Sequence, residues 1–196
     1  ITLYEGRGVC AGKGQAIVRS EAGEEMLTTD NIILSCGSSS ESFPGLAPDG
    51  DAVLDSTGVL NLPEVPESLI IVGAGAIGLE LGDFFGMMGS KITIVEAAPH
   101  IAPTEDADIA KEMDRVQSKA GRTCISGVMA KSLVTKGRQA ELTLGDGRVL
   151  TASKALVAVG RTPNTAGLDC EKAGCTLKRR GFVDVNDHLE AAEGVY

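Results

Sequence analysis

The chain has 196 residues, 43% of them hydrophobic, enough for one large domain or one domain with part of another. Its 27 acids against 18 bases give a net charge of -9, and aromatics make up 3% with no Trp, which excludes a basic or base-stacking nucleic-acid footprint. No apolar run approaches the roughly 18–20 residues of a membrane span, and Ile1-Thr2-Leu3-Tyr4 carries no secretory pattern.

Residues 1–35 read as mostly strand-like, ending in Leu-Thr-Thr-Asp-Asn-Ile-Ile-Leu-Ser-Cys-Gly-Ser at 27–38. The most informative stretch begins at Ser68-Leu69-Ile70-Ile71-Val72, a β-branched apolar run that predicts a buried parallel strand. It feeds Gly73-Ala74-Gly75-Ala76-Ile77-Gly78, and Ile77, Leu81, Phe84, Phe85 and Met88 then recur at helical spacing up to a capping Gly89. Lys91–Val95 is a second strand, closed by Glu96. A second helix is expected to start at Pro103-Thr104, with Ile109, Met113, Val116 and Ala120 as its apolar stripe and Gly121 as its end. Thr123–Ile125 is a candidate strand. Hairpin turns follow at Lys136-Gly137 and Gly145-Asp146-Gly147, and a buried strand over 155–159 stops at Gly160.

The glycine turn has a strand before it, a helix opening on it and an acid closing the next strand, which together specify a Rossmann-type dinucleotide site. Gly73 permits the turn, Gly75 leaves room for a pyrophosphate, and Gly78 allows close helix–strand packing. The phosphates would sit on the unpaired N–H groups of the new helix. Glu96 would accept the adenosine ribose hydroxyls. A carboxylate about 4 Å from a 2′-phosphate is repelled by roughly 4 kcal/mol at an effective dielectric near 20, so the cofactor is expected to be NAD rather than NADP. No basic pair follows in Ala97-Ala98-Pro99-His100.

Residues 150–161 repeat the pattern of 27–38: meander strand, turn, apolar strand, glycine. Only the second copy is preceded by a strand–helix–strand unit with a glycine turn, so the chain is expected to be cut from a longer protein with two related nucleotide domains. The strands of 1–35 would then lack their native partners.

With these residues in hand, the chain resembles the pyridine nucleotide-disulfide oxidoreductase family. The resemblance rests on Gly-Ala-Gly-Ala-Ile-Gly-Leu-Glu-Leu-Gly at 73–82, Gly-Ser-Lys-Ile-Thr-Ile-Val-Glu at 89–96, Ala-Val-Gly-Arg-Thr-Pro-Asn at 158–164 and Gly167-Leu168. It implies an α/β fold in three layers, with a parallel sheet, an antiparallel meander and remnant strands of an FAD domain. By the same resemblance, 1–60 is the FAD-domain remnant, 61–166 the NAD-binding domain and 167–196 a tail returning toward the FAD domain. Gly73, Ala74, Gly75, Ala76, Ile77, Gly78, Leu79 and Glu80 would wrap NAD, Glu96 its adenine ribose, Ala130 (or Val128) its adenine, and Gly160 would approach it. Gly8 and the Cys36-Gly37-Ser38 segment would touch FAD, with Cys36 standing where the family has Thr.

The pattern is nearest to family members that pass electrons from dihydrolipoamide through a redox disulfide and FAD to NAD+. An NADH oxidase or sister flavin reductase is the alternative within the family, and a non-catalytic NAD-sensing module the alternative outside it. The resemblance implies a homodimer serving 2-oxoacid dehydrogenase or glycine cleavage complexes; the five cysteines, with no Cys-x-x-Cys pair, point to a reduced, cytoplasmic compartment, and charge and hydropathy to no nucleic-acid or membrane partner. The family's flavin loop, redox disulfide and His–Glu base map to no residue here, so the chain alone is expected to be inactive. Cys170 and Cys175 share the C-x4-C spacing of the redox pair, but they flank Glu-Lys-Ala-Gly, a short capped turn, and are read as packing residues. His100 and His188 have no metal-ligand partners at useful spacing.

Overall fold

A computed structural model describes residues 1–196, which divide into two compact units: Ile1–Ser39 with Arg161–Tyr196, and Ser40–Gly160. In the first, β1 (Arg7–Gly12), β2 (Gln15–Ser20) and β3 (Gly23–Thr28) form an antiparallel meander. The strands expected to lack partners thus pair with one another, and a short strand β4 (Ser38–Ser40) follows.

The second unit is built on a parallel sheet. Its elements in chain order are β5 (Val53–Leu54), α1 (Ser56–Leu60), β6 (Ser68–Val72), α2 (Ala76–Met87), β7 (Lys91–Val95), α3 (Ala107–Lys119) and β8 (Thr123–Ile125). The antiparallel strands β9 (Ala130–Lys136), β10 (Gln139–Leu144) and β11 (Val149–Ala152) come next, and β12 (Lys154–Val157) returns to the parallel sheet. The parallel order is β5-β12-β6-β7-β8. Residues 40–60, grouped by sequence with the first region, supply β5 because Val53 and Leu54 pair with Ala155 and Leu156 of β12.

Side-chain alternation along β6 explains the layering. Ile70 and Val72 face the meander, where they pack with Leu133, Leu142, Leu144 and Ala152. Leu69 and Ile71 face the helices, with Leu79, Phe85, Ile92 and Ile94. A strand covered on both faces must be apolar throughout, which is why 68–72 reads as a continuous run. Ile71 is fully buried, a contribution of about 1.5–3 kcal/mol.

The helices differ from expectation in their faces. In α2 the inward residues are Gly78, Leu79, Gly82 and Phe85, while Phe84 and Met88 are exposed. Gly82 lets the helix approach the sheet, since a Cβ there would lie 3.0 Å from Ile71 Cδ1. α3 starts at Ala107 rather than at Pro103-Thr104, because Ala102 turns away with φ 48° and its N–H donates to Ala74 O at 2.9 Å. Ala110 and Gln117 are its buried residues, and Ile109 and Val116 are exposed. The Gln117 side chain is satisfied there by Arg122, whose guanidinium also pairs with Asp83 at 2.6 Å.

Beyond Gly160 the chain rejoins the first unit through β13 (Arg161–Pro163) and two 3-10 turns, Cys170–Ala173 and Arg179–Gly181. Cys10, Cys170, Ala173, Cys175 and Val195 form that unit's buried core. The turn at Cys170–Ala173 ends at Gly174 with φ 90°, the glycine cap expected there. No helix of the chain is long and apolar enough to cross a membrane.

Candidate functional site

The site is a cavity of about 370 Å³ at the carboxyl ends of β6, β7 and β12 in the second unit. That volume lies at the lower end of the about 300–1,000 Å³ usual for small-molecule sites. It forms where the sheet order turns around β6, the place at which open parallel sheets bind ligands.

The three turn glycines play different parts. Gly73 has φ 103°, and a Cβ there would lie 2.3 Å from Ala158 O, so only glycine fits. Gly78 is equally constrained, for its Cβ would lie 2.0 Å from Gly73 O. Gly75 is not: its φ is -76°, and a Cβ would meet nothing within 4 Å. The fold leaves Gly75's space empty, and that space opens on the cavity.

Gly75 is also the N-cap of α2, so it offers no side chain to the first N–H groups, and the first turn holds no acid. Those N–H groups are left for an anion at the positive end of the helix dipole.

Glu96, at the end of β7, lines the same cavity. Its Oε2 accepts from the Ala74 N–H at 2.7 Å and its Oε1 from the Ala98 N–H at 2.8 Å. Its own N–H donates to Ile125 O at 2.8 Å, which fixes the backbone beneath the carboxylate. Each carboxylate oxygen accepts one backbone bond and retains capacity to accept another.

The cavity wall therefore contains Gly73, Gly75, Glu96, Ala130 and Gly160 from the expected set. Ala74 is buried behind it, tied through its N–H to Glu96 and through its O to Ala102. Ala76, Ile77, Gly78 and Leu79 belong to the first turn of α2 and are not on the wall, Gly78 and Leu79 being packed on the sheet. Glu80 falls beyond the first turn and is exposed. Sequence reasoning missed Phe43, Leu46, Pro103 and Met129, which also line the cavity. The Pro44-Gly45 turn signal was available for the first two, but nothing local says that it folds over β9.

In the first unit, Gly8 and Cys36 line one cavity of about 320 Å³, together with Cys10, Ile32 and Leu168. Gly37 has φ 70°, and Asn164 Nδ2 donates to Cys36 O at 3.2 Å. Ser38 accepts from Arg161 Nε at 2.6 Å, so its hydroxyl is already engaged. Cys10, Cys170 and Cys175 are buried, and all five thiols are free. Burial raises the Cys170 and Cys124 thiols to about 11 and pushes Cys10 and Cys175 up as well. His100 Nδ1 lies 2.9 Å from Ile101 O, and no cluster of three His, Cys, Asp or Glu side chains could hold a metal ion.

Compared with known proteins, residues 1–196 match the family described as Pyridine nucleotide-disulphide oxidoreductase. A dihydrolipoyl dehydrogenase of Cupriavidus necator is 35% identical, covering 96% of this chain and 40% of that protein. A leghemoglobin reductase of Glycine max is also 35% identical, covering 100% of this chain and 39% of its own length. Among solved structures, LpdA from Mycobacterium tuberculosis superposes with a TM-score of 0.84 at 29% identity, over 97% of this chain and 43% of that one. The HOCl-induced flavoprotein disulfide reductase RclA from Escherichia coli gives a TM-score of 0.81 at 30% identity, over 97% of this chain and 43% of that one. The chain thus spans about two-fifths of the length of these relatives.

Proposed function

As the chain belongs to the pyridine nucleotide-disulphide oxidoreductase family, we propose that its Ser40–Gly160 unit is the NAD-docking part of a flavin-dependent dihydrolipoamide dehydrogenase. The observation that carries the docking role is Gly75. Its neighbours Gly73 and Gly78 are demanded by backbone contacts, whereas Gly75 keeps open a space that no protein atom uses. A pyrophosphate lying across that space meets the uncapped amides of α2 on one side.

In this reading Glu96 receives the adenosine ribose, already aimed by the Ala74 and Ala98 N–H groups. A 2′-phosphate would bring negative charge against the carboxylate, which favours NAD over NADP. Ala130, at the start of β9, borders the adenine, and Gly160, just after β12, borders the nicotinamide half; both line the cavity. The nicotinamide, when bound, supplies the hydride acceptor. The chain's own contribution is to bind and orient it.

The first unit takes the flavin role, with Gly8 and Cys36 meeting at one cavity wall. Dihydrolipoamide as reductant, a homodimeric intact protein and service to 2-oxoacid dehydrogenase or glycine cleavage complexes are extended to this chain from the family resemblance. Titrating NADH and NADPH into the purified chain tests the docking role: NADH is expected to bind more tightly, and equal affinities refute the part given to Glu96.

A further inference from the structure

Three of the five thiols lie together in the first unit. Cys10 of β1, Cys170 at the start of the Cys170–Ala173 turn and Cys175 just beyond it are buried in one core. The Cys10 thiol is hydrogen-bonded to that of Cys170. The backbone sets this approach, for the Cys10 N–H donates to Leu168 O at 2.7 Å and β1 packs against the turn. A free Cys packs as a small hydrophobe, so Ala or Val would serve packing alone. Two adjacent sulfurs add the capacity to exchange two electrons.

Two further observations give the pair its roles. Cys10 lines the cavity of about 320 Å³ beside β1, and Cys170 stands behind it, off the cavity wall. Cys10 therefore meets what enters the cavity, with a second thiol in reach. The unit is also discontinuous, made of Ile1–Ser39 and Arg161–Tyr196, and Cys10 belongs to the first segment and Cys170 to the second.

We propose that Cys10 and Cys170 are a reversible oxidation site: a small hydroperoxide entering the cavity is reduced at Cys10, and Cys170 then closes a disulfide that staples the two segments. The Cys10 sulfur attacks one peroxide oxygen, so that an S–O bond forms and the O–O bond breaks. The leaving oxygen departs with the proton of Cys10, as water when the oxidant is hydrogen peroxide. The Cys170 sulfur next attacks Cys10 Sγ, the S–S bond forms and the S–O bond breaks. That oxygen leaves as water with the proton of Cys170. The two thiols have lost two electrons and the peroxide has gained them. Burial holds both thiols up, so the pair reacts slowly and stays reduced until an oxidant is supplied. The hydrogen bond from Cys170 favours the Cys10 thiolate, which makes Cys10 the attacking sulfur. None of this uses the nucleotide or flavin reading.

The test adds hydrogen peroxide to the reduced full chain, blocks the remaining thiols during unfolding, and maps the peptides by mass spectrometry. A Cys10–Cys170 cross-link is expected, with two of the five free thiols lost and both restored by dithiothreitol. The oxidised chain is expected to melt several degrees higher than the reduced one, because the bond closes a long loop. Cys175→Ser should keep the cross-link, and Cys10→Ser and Cys170→Ser should each lose it. Five free thiols after treatment, sulfinic acid at Cys10 without a cross-link, or a bond from Cys170 to Cys175 or from Cys10 to Cys36 overturns the assignment. A cross-linked chain that melts no higher refutes the staple. Should a serine variant fail to fold, the wild-type peptide map decides alone.

Discussion

The Glu96 carboxylate accepts the Ala74 N–H at 2.7 Å, so the acid ending β7 and the glycine turn ending β6 are held as one piece before any ligand arrives. Glu96→Ala therefore removes the brace on the turn and, on the proposed reading, the ribose acceptor. It is expected to weaken NADH by about 1–3 kcal/mol, the range for hydrogen bonds to a charged group. It is also expected to lower the ligand-free melting temperature, as the Ala74 and Ala98 N–H groups lose their acceptor. Titration calorimetry and thermal unfolding read the two effects separately, and a variant with unchanged affinity would refute the ribose role.

Gly78→Ala should be a folding variant before it is a binding variant. The added Cβ would lie 2.0 Å from a backbone oxygen, Gly73 O, so the turn or the helix must move. A loss of about 1–3 kcal/mol or more is expected, a drop of several degrees in Tm for a chain of this size. An unchanged Tm would mean that helix and turn are not packed as described.

Gly86 and Arg122 form a second such pair. A Cβ at Gly86 would lie 2.7 Å from Arg122 Nε, and the guanidinium cannot swing away easily because Asp83 and Gln117 hold it. Gly86→Ala is expected to destabilise by about 1–2 kcal/mol, although alanine is the better helix former by about 1 kcal/mol. In an Arg122→Ala background the same change should become neutral or favourable. Additive effects in this double-mutant cycle by chemical denaturation would show that the two positions do not touch.

The thiols give a pH prediction. Cys170 and Cys124 titrate at about 11 in the folded chain against 9.0 when unperturbed, because burial disfavours the thiolate. The folded state thus holds protons that the unfolded state releases. The stabilisation is complete below pH 9 and lost as pH rises from 9 toward 11. Denaturation midpoints should fall across that window, and replacing Cys170 by Ser should flatten the fall. Thiol counting is expected to find five free groups after denaturation and slow labelling of Cys10, Cys170 and Cys175 before it. A Cys170–Cys175 disulfide with dihydrolipoamide activity would contradict the packing role given to that pair.

Much of this was legible in the sequence wherever the information is local. The run 68–72 announced a strand buried on both faces, and the glycine turn, the helix and Glu96 followed at spacings that leave little freedom. Where contacts are remote, sequence reasoning failed for physical reasons. Ile109 and Val116 read as a core stripe, yet the helix turns Ala110 and Gln117 inward, because Arg122 satisfies the buried amide. Phe43 and Leu46 reach the site through a turn fastened to Leu133, some ninety residues away, and no periodicity carries that message. Likewise, Val53-Leu54 is too short to show its own pattern and becomes a strand only because β12 offers a free edge.

The central claim is that the space kept open at Gly75 belongs to the dinucleotide, and one paired titration tests it. NADH is added to the wild-type chain and to Gly75→Ala, with the ligand-free melting temperature of each recorded alongside. Because no protein atom lies within 4 Å of the new Cβ, the variant should melt with the wild type. If the pyrophosphate occupies that space, as proposed, the variant should lose most of its NADH affinity. A variant as stable as the wild type that binds NADH equally well would contradict the account.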